Sequence, residues 1–253
     1  MTATPPGHIT LSEHRLRLAL VTLVAVLSLL GLAAELGFEL ADGEDPYGLV
    51  QFTGLSYEQN LPTWAASTLL LACSLLLWLN GRADGGRWRH HWSGLAALFA
   101  YASLDEVTEI HENWGDWIDA DAALGGLLYF SWVIPATLIV LGLAVVYRGF
   151  LFALPAATRR RFLLAAALYL GGALAMELPL GYWTARHGAD NLGYGLIDWL
   201  EETLELAGAS VFLYALALHL LAEGALVFRL QPGPQRGAPP ARAPGTGSPR
   251  PGP

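Results

Sequence analysis

The chain has 253 residues, of which 54% are hydrophobic and only 14% charged, and its formal net charge is −8. An ordinary soluble domain is excluded by that balance, and no nucleic-acid surface, nucleotide loop or Ser-His-Asp arrangement stands out. All 14 basic residues are Arg, so a retinal Schiff base and other lysine chemistry are excluded, and the lone Cys73 rules out a disulfide framework or a thiolate metal site.

The 28 Gly and nine Trp fit a polytopic membrane protein, in which Gly permits close helix contact and Trp anchors interfaces. Uncharged runs at 18–34, 61–79, 92–104, 122–147, 162–176 and 206–218 predict the spans. A helix needs roughly 20 residues to cross a hydrocarbon core of ~30 Å. The third and sixth runs reach that length only with their neighbouring acids included. The alternative is a pair of short buried or interfacial helices.

The expected fold is all-α, an integral membrane bundle of six transmembrane helices with both termini cytoplasmic. The spans are placed at about 16–38, 61–80, 92–112, 122–147, 161–181 and 197–222, within one domain over 15–230. Residues 1–14 form a cytoplasmic segment. The first run is followed by Glu35 and Glu39 without a clean small-x-small cleavage site, so a retained span is expected rather than a signal peptide. Residues 231–253 are rich in Pro, Gly and Arg, with little apolar to bury. They are expected to be a disordered cytoplasmic tail resting on anionic lipid.

Loop charge supports this topology. Arg15, Arg17, Arg82, Arg87, Arg89, Arg148, Arg159 to Arg161 and the tail Arg residues fall on one side, and only Arg186 on the other. The positive-inside rule makes the Arg side cytoplasmic, and a multi-pass location in the cell's inner (cytoplasmic) membrane is expected. Trp64, Trp114, Trp117, Trp183 and Trp199 are expected in an outer belt, with Trp78, Trp88 and Trp92 at the inner face. His90 and His91 are expected to be solvated. Gly125-Gly126, Gly171-Gly172 and Gly208 predict close helix packing, and Pro135 a kink.

Two acidic runs interrupt this apolar pattern. They are Leu104-Asp105-Glu106-Val107-Thr108-Glu109-Ile110-His111-Glu112 and Leu200-Glu201-Glu202-Thr203-Leu204-Glu205-Leu206. Carboxylates within spans are costly and point to function. With the termini inside, both runs occupy the outer half of the bilayer. Glu177 lies about 24 Å beyond Arg161 at helical rise, at the same level, and Glu35 lies comparably far along the first span. At 100° per residue Asp105, Thr108, Glu109 and Glu112 share one face, with Glu106 to the side and His111 off it. Asp198, Glu201, Glu202 and Glu205 share a face of the last span. Glu35, Glu112, Asp116 and Asp198 are expected in a solvated vestibule.

So many acids in low dielectric need a cation, shared protons or water. Asp105, Glu109, Glu112, Glu177, Glu201 and Glu205 are the expected metal ligands, for a hard or borderline divalent ion such as Mg²⁺, Ca²⁺, Mn²⁺, Fe²⁺ or Zn²⁺. Glu106, Glu202 and His111 are the acid/base candidates or supports behind the ligands. Pro179 removes a backbone hydrogen bond near Glu177. A soluble di-iron bundle uses Glu-x-x-His, which this chain lacks, and its histidines are too scattered to hold a haem.

On Ser-Leu-Asp-Glu…Ile-His-Glu at 103–112, Glu177, and Glu-Glu-x-x-Glu-x-x-Gly at 201–208, the chain resembles a group of uncharacterised multi-pass bacterial membrane proteins. The resemblance covers the span region and implies no activity.

Three functions stay open: a metal-dependent membrane enzyme acting on a lipid or periplasmic substrate, a cation or proton transporter or channel, and a non-catalytic subunit or sensor. Acids at one depth argue against an inverted-repeat transporter, whose paired sites would lie at the midplane or at opposite depths. Membrane lipids are the expected surroundings, with a homo-oligomer or larger membrane complex left open.

Overall fold

A computed structural model describes residues 12–45, 47–110 and 125–222, and every regular element among them is helical. The elements are α1 (Glu13–Leu40), α2 (Leu49–Thr53), α3 (Leu61–Asp84), α4 (Arg89–Thr108), α5 (Val133–Ala153), α6 (Ala156–Leu170), α7 (Glu177–His187) and α8 (Leu192–Ala222). A π-helical turn, Gly171–Met176, joins α6 and α7 into one rod, and a 3-10 turn, Gly126–Leu128, precedes α5. Five helical stretches are long and apolar enough to cross a membrane: α1, α3, α5, the α6–α7 rod and α8. The fifth of the six expected spans is thus a rod with a π turn inside it, and the third, α4, is a helix whose apolar stretch is cut short by Arg89 and His90 at one end and Asp105 and Glu106 at the other.

Local signals set the helix ends. Ser12 caps α1 by accepting from the Arg15 N–H at 3.3 Å, and the Asn60 side chain caps α3 through the Thr63 N–H at 3.1 Å. At the far end of α4, Glu109 adopts a left-handed conformation (φ 54°, ψ 37°), which stops the helix. Glu109 is thus already past the helix end, beyond the helical face expected to carry it. Glu112, together with His111, lies outside the described residues, as do Trp114, Trp117 and the tail. The fourth span also shifts. Gly125 and Gly126 take positive φ (45° and 61°), so they turn the chain instead of packing inside a helix, and the helix runs Val133–Ala153. Pro135 then sits in its first turn, where a missing N–H costs little and no kink is needed.

Polar contacts fix how the helices run. Ser67 and Ser103 exchange hydrogen bonds with each other's carbonyls (2.7 and 2.8 Å), and Ser74 donates to Ala96 O at 2.7 Å, so α3 and α4 are antiparallel. Trp199 donates to Ser28 O at 2.7 Å and Tyr214 to Glu13 at 2.6 Å, which sets α1 antiparallel to α8. Asn80 donates to Leu216 O at 3.3 Å and Cys73 to Ala209 O at 3.6 Å, so α3 runs parallel to α8. Tyr169 against Gly208 and Thr158 beside His219 set the α6–α7 rod antiparallel to α8.

The up-and-down weave has a consequence for charge. Arg15, Arg17, Arg82, Arg87, Arg89, Arg148 and Arg159 to Arg161 gather at one end of the bundle, while Glu35, Glu106, Glu177 and Glu201 lie towards the other. Between them sits the core, with α8 at its centre. Cys73, Leu77, Trp92, Phe162, Ala215 and Leu216 pack one half; Leu27, Leu69, Leu70, Leu206 and Ala209 pack the other. Trp92 is thus a core residue instead of an interfacial anchor. His91 is not solvated either: its ring stacks on Phe150 and meets Trp88 and Tyr147 edge-on. Leu71, Leu75, Leu138 and Val145 stand outward and exposed, an arrangement that suits lipid and not water.

Candidate functional site

The acids come together where the α6–α7 rod meets α8. In the π turn the backbone pairing widens from four residues to five, and such turns are frequent at functional sites. Glu177 follows the turn directly, and two residues on stands Pro179, which has no backbone N–H to donate. Two glycines let the rod lie against α8. A Cβ at Gly172 would fall 2.6 Å from Glu201 O and 2.7 Å from Glu205 Cγ, and one at Gly208 would fall 2.5 Å from the Tyr169 nitrogen. The close packing expected of Gly172 and Gly208 is therefore present, and what it brings together is a tyrosine and a row of carboxylates.

Glu205 is the centre of that row. It accepts a hydrogen bond from the Tyr169 hydroxyl and lies within electrostatic reach of Glu106 on α4, Glu177 on α7 and Asp198 on α8. Glu202 neighbours Glu205, Glu106, Asp198 and Glu201. Glu201 neighbours Glu177, Glu205 and Asp198. It is 6% exposed, and its Oε2 has no hydrogen-bond partner among the described residues. Glu177 is buried, and its Oε1 accepts from the Trp132 indole at 3.0 Å. A cavity of about 10 Å³, lined by Glu106, Tyr169, Glu202, Glu205 and the apolar side chains of Ala66, Leu70, Leu206 and Ala209, lies between α3, α4, α6 and α8. That is room for one water molecule or one small ion.

Of the expected ligands, Glu177, Glu201 and Glu205 are brought together. Asp105 Oδ1 accepts from Tyr101 at 3.4 Å, and Glu109 Oε1 from Gln59 at 3.3 Å. On α4 the acid beside Glu202 and Glu205 is Glu106, the residue the helical wheel sets to one side. Packing sets this: Ser103, one turn before Glu106, is held against Ser67 of α3, and that fixes the rotation of α4. Among the described residues no three His, Cys, Asp or Glu side chains are set to ligate one ion as they stand.

Tyr169 and Trp132 have no place in the reading from sequence. Tyr169 was open to detection as the one polar side chain in the run 162–176. Trp132 carried no signal, since an indole near a span end is ordinarily an interfacial anchor.

No curated protein and no solved structure matches the chain. A family model does match, over residues 15–220, which takes in every helix from α1 to α8 and both acidic runs. The chain therefore belongs to the family described as Domain of unknown function (DUF8692).

Proposed function

We propose that this is a six-span inner-membrane protein, with α4 as the remaining span, that holds one small hard cation among Glu106, Glu202 and Glu205. The carrying observation is the ion-sized cavity these three carboxylates line with Tyr169. Rotation of the carboxylates about their side-chain torsions brings their oxygens round the ion, and Glu177 and Glu201 add negative charge behind them. A divalent ion offsets the repulsion that otherwise obliges several of these groups to hold protons. The clustering of Arg at the opposite end supports cytoplasmic termini and an outward-facing site.

Glu106 and Glu202 are the acid/base candidates if the bound metal serves catalysis. A lipid substrate needs far more room than the cavity gives, so binding of an ion is the better-supported role. The deciding experiment is metal analysis of the purified protein, wild type against Glu202→Gln and Glu205→Gln. Stoichiometric metal in the wild type and loss in both variants supports the reading. A metal-free wild type, reloaded by no divalent ion, overturns it and leaves shared protons.

A second reading, movement of a cation or protons, is favoured by Asp198, which neighbours both Glu35 and the Glu201–Glu202–Glu205 row and so makes a line of acids along α8. It requires ion- or pH-driven flux in proteoliposomes that Glu205→Gln abolishes.

A further inference from the structure

A separate set of oxygens lies where α1, the segment before α3 and the start of α8 meet. Glu35 is 8% exposed, so the expectation of a solvated vestibule residue does not describe it. Its Oε1 is buried without a hydrogen-bond partner among the described residues. Asp198 lies within electrostatic reach of Glu35, and the Ser56 hydroxyl stands within hydrogen-bonding reach of both carboxylates.

Three features of the fold deliver these groups to one place. The Trp199 bond to Ser28 O and the 3.0 Å bond from Thr203 to Ser28 Oγ fix α1 on α8, so Glu35 arrives level with Asp198. Leu55 is buried against Gly31, where a Cβ would fall 2.8 Å from Leu55 Cγ, and this seats Ser56 next in sequence. Gly195 leaves the space: a Cβ there would lie 2.5 Å from Glu35 Oε2.

The surroundings are negative. Burial, and then the carboxylates of Glu35, Asp45 and Asp190, push the Tyr57 phenol above its ordinary range. Asp45 is already used, accepting from the N–H groups of Leu49 (2.8 Å) and Val50 (3.0 Å) at the start of α2. Arg186, the only described Arg at this end, lies over the Tyr182 ring. A buried, unpartnered carboxylate oxygen close to a second carboxylate costs several kcal/mol unless something positive compensates it.

We propose that Glu35, Ser56 and Asp198 form a second cation position, distinct from the Glu106–Glu202–Glu205 cavity, that takes a hard divalent ion of the Mg²⁺ or Ca²⁺ class. Two carboxylates match the ion's charge, the hydroxyl adds a third hard oxygen, and water completes the shell, as is usual for Mg²⁺. This position goes beyond the cavity reading and does not depend on it.

The test is calorimetric titration of the full chain in detergent, stripped with a chelator, using Mg²⁺ and Ca²⁺ separately. The wild type is expected to bind two ions, and Glu35→Gln and Glu205→Gln one each. Gly195→Ala removes no oxygen but pushes the Glu35 carboxylate aside, so it should weaken the same step as Glu35→Gln by at least tenfold. Helicity and a monodisperse elution profile are required of every variant, and Asp198→Asn replaces Glu35→Gln if that one fails to fold. One ion in the wild type, lost in Glu205→Gln but kept in Glu35→Gln, overturns the second position and leaves the cavity standing. One ion lost only in Glu35→Gln and Gly195→Ala upholds the second position and overturns the cavity. No ion in the wild type overturns both.

Discussion

Gly172 in the π turn and Glu205 in α8 are set so close that a Cβ on the glycine would fall 2.7 Å from Glu205 Cγ and 2.6 Å from the Glu201 carbonyl oxygen. One of those contacts is backbone, so it cannot be relieved by a side-chain rotation. The acidic row on α8 is thus pressed against the rod that carries Tyr169 and Glu177.

Gly172→Ala should therefore destabilise the protein by about 1–3 kcal/mol, the usual cost of forcing atoms into a packed interface. Gly142 in α5 provides the control, since a Cβ there meets nothing within 4 Å. Gly142→Ala should be neutral or gain roughly 0.5–1 kcal/mol from helix propensity. Chemical denaturation in one detergent reads both, and equal effects would refute the close-approach account.

The Trp132 indole and Glu177 carboxylate, 3.0 Å apart, tie the segment before α5 to α7. Trp132→Phe keeps most of the ring but removes the donor, at a cost of about 1–3 kcal/mol for a buried carboxylate left short of a partner. In a double-mutant cycle with Glu177→Gln, a coupling of at least ~0.5 kcal/mol is expected. Strict additivity of the two losses would show that the bond contributes nothing.

Tyr169 lines the cavity and donates to Glu205, so Tyr169→Phe should leave the fold intact and lower cation affinity by roughly 10–100-fold, as loss of a supporting hydrogen bond does at metal sites. Titration calorimetry reads the affinity, and circular dichroism the helix content. Unchanged affinity would remove Tyr169 from the site.

Ion binding should also stabilise the folded state. At 100 times the dissociation constant a single bound ion adds ~2.7 kcal/mol, so the wild-type melting temperature should rise with Mg²⁺ or Ca²⁺ and fall with chelator. The Glu35→Gln, Glu205→Gln double variant should be insensitive to both. A wild type that melts at the same temperature in chelator and in millimolar ion contradicts both cation positions.

Much of the architecture was legible in the residues. Apolar runs broken by Arg-rich links mark helices because an isolated strand or loop cannot satisfy its backbone in hydrocarbon, and five such helices are present. Glu177, Glu201, Glu202 and Glu205 stood out for the cost of burying acid among apolar neighbours, and they do assemble. The ends of elements were less legible. Gly125-Gly126 turns the chain and Glu109 ends α4, in each case through a backbone conformation that an apolar count does not register.

The helical class, the segregation of Arg from acid, and the acids as the groups most in need of an explanation follow from composition and periodicity, which act locally. Which acids meet depends on how the helices pack. Glu106 replaces Asp105 beside Glu202 and Glu205 because the Ser67–Ser103 contact sets the rotation of α4, and no single helix carries that information. Likewise Glu35 becomes buried through the register of α1 on α8, held by Trp199 and Thr203 on Ser28. Rotation and register are properties of pairs of helices, fixed by contacts between residues far apart in the chain.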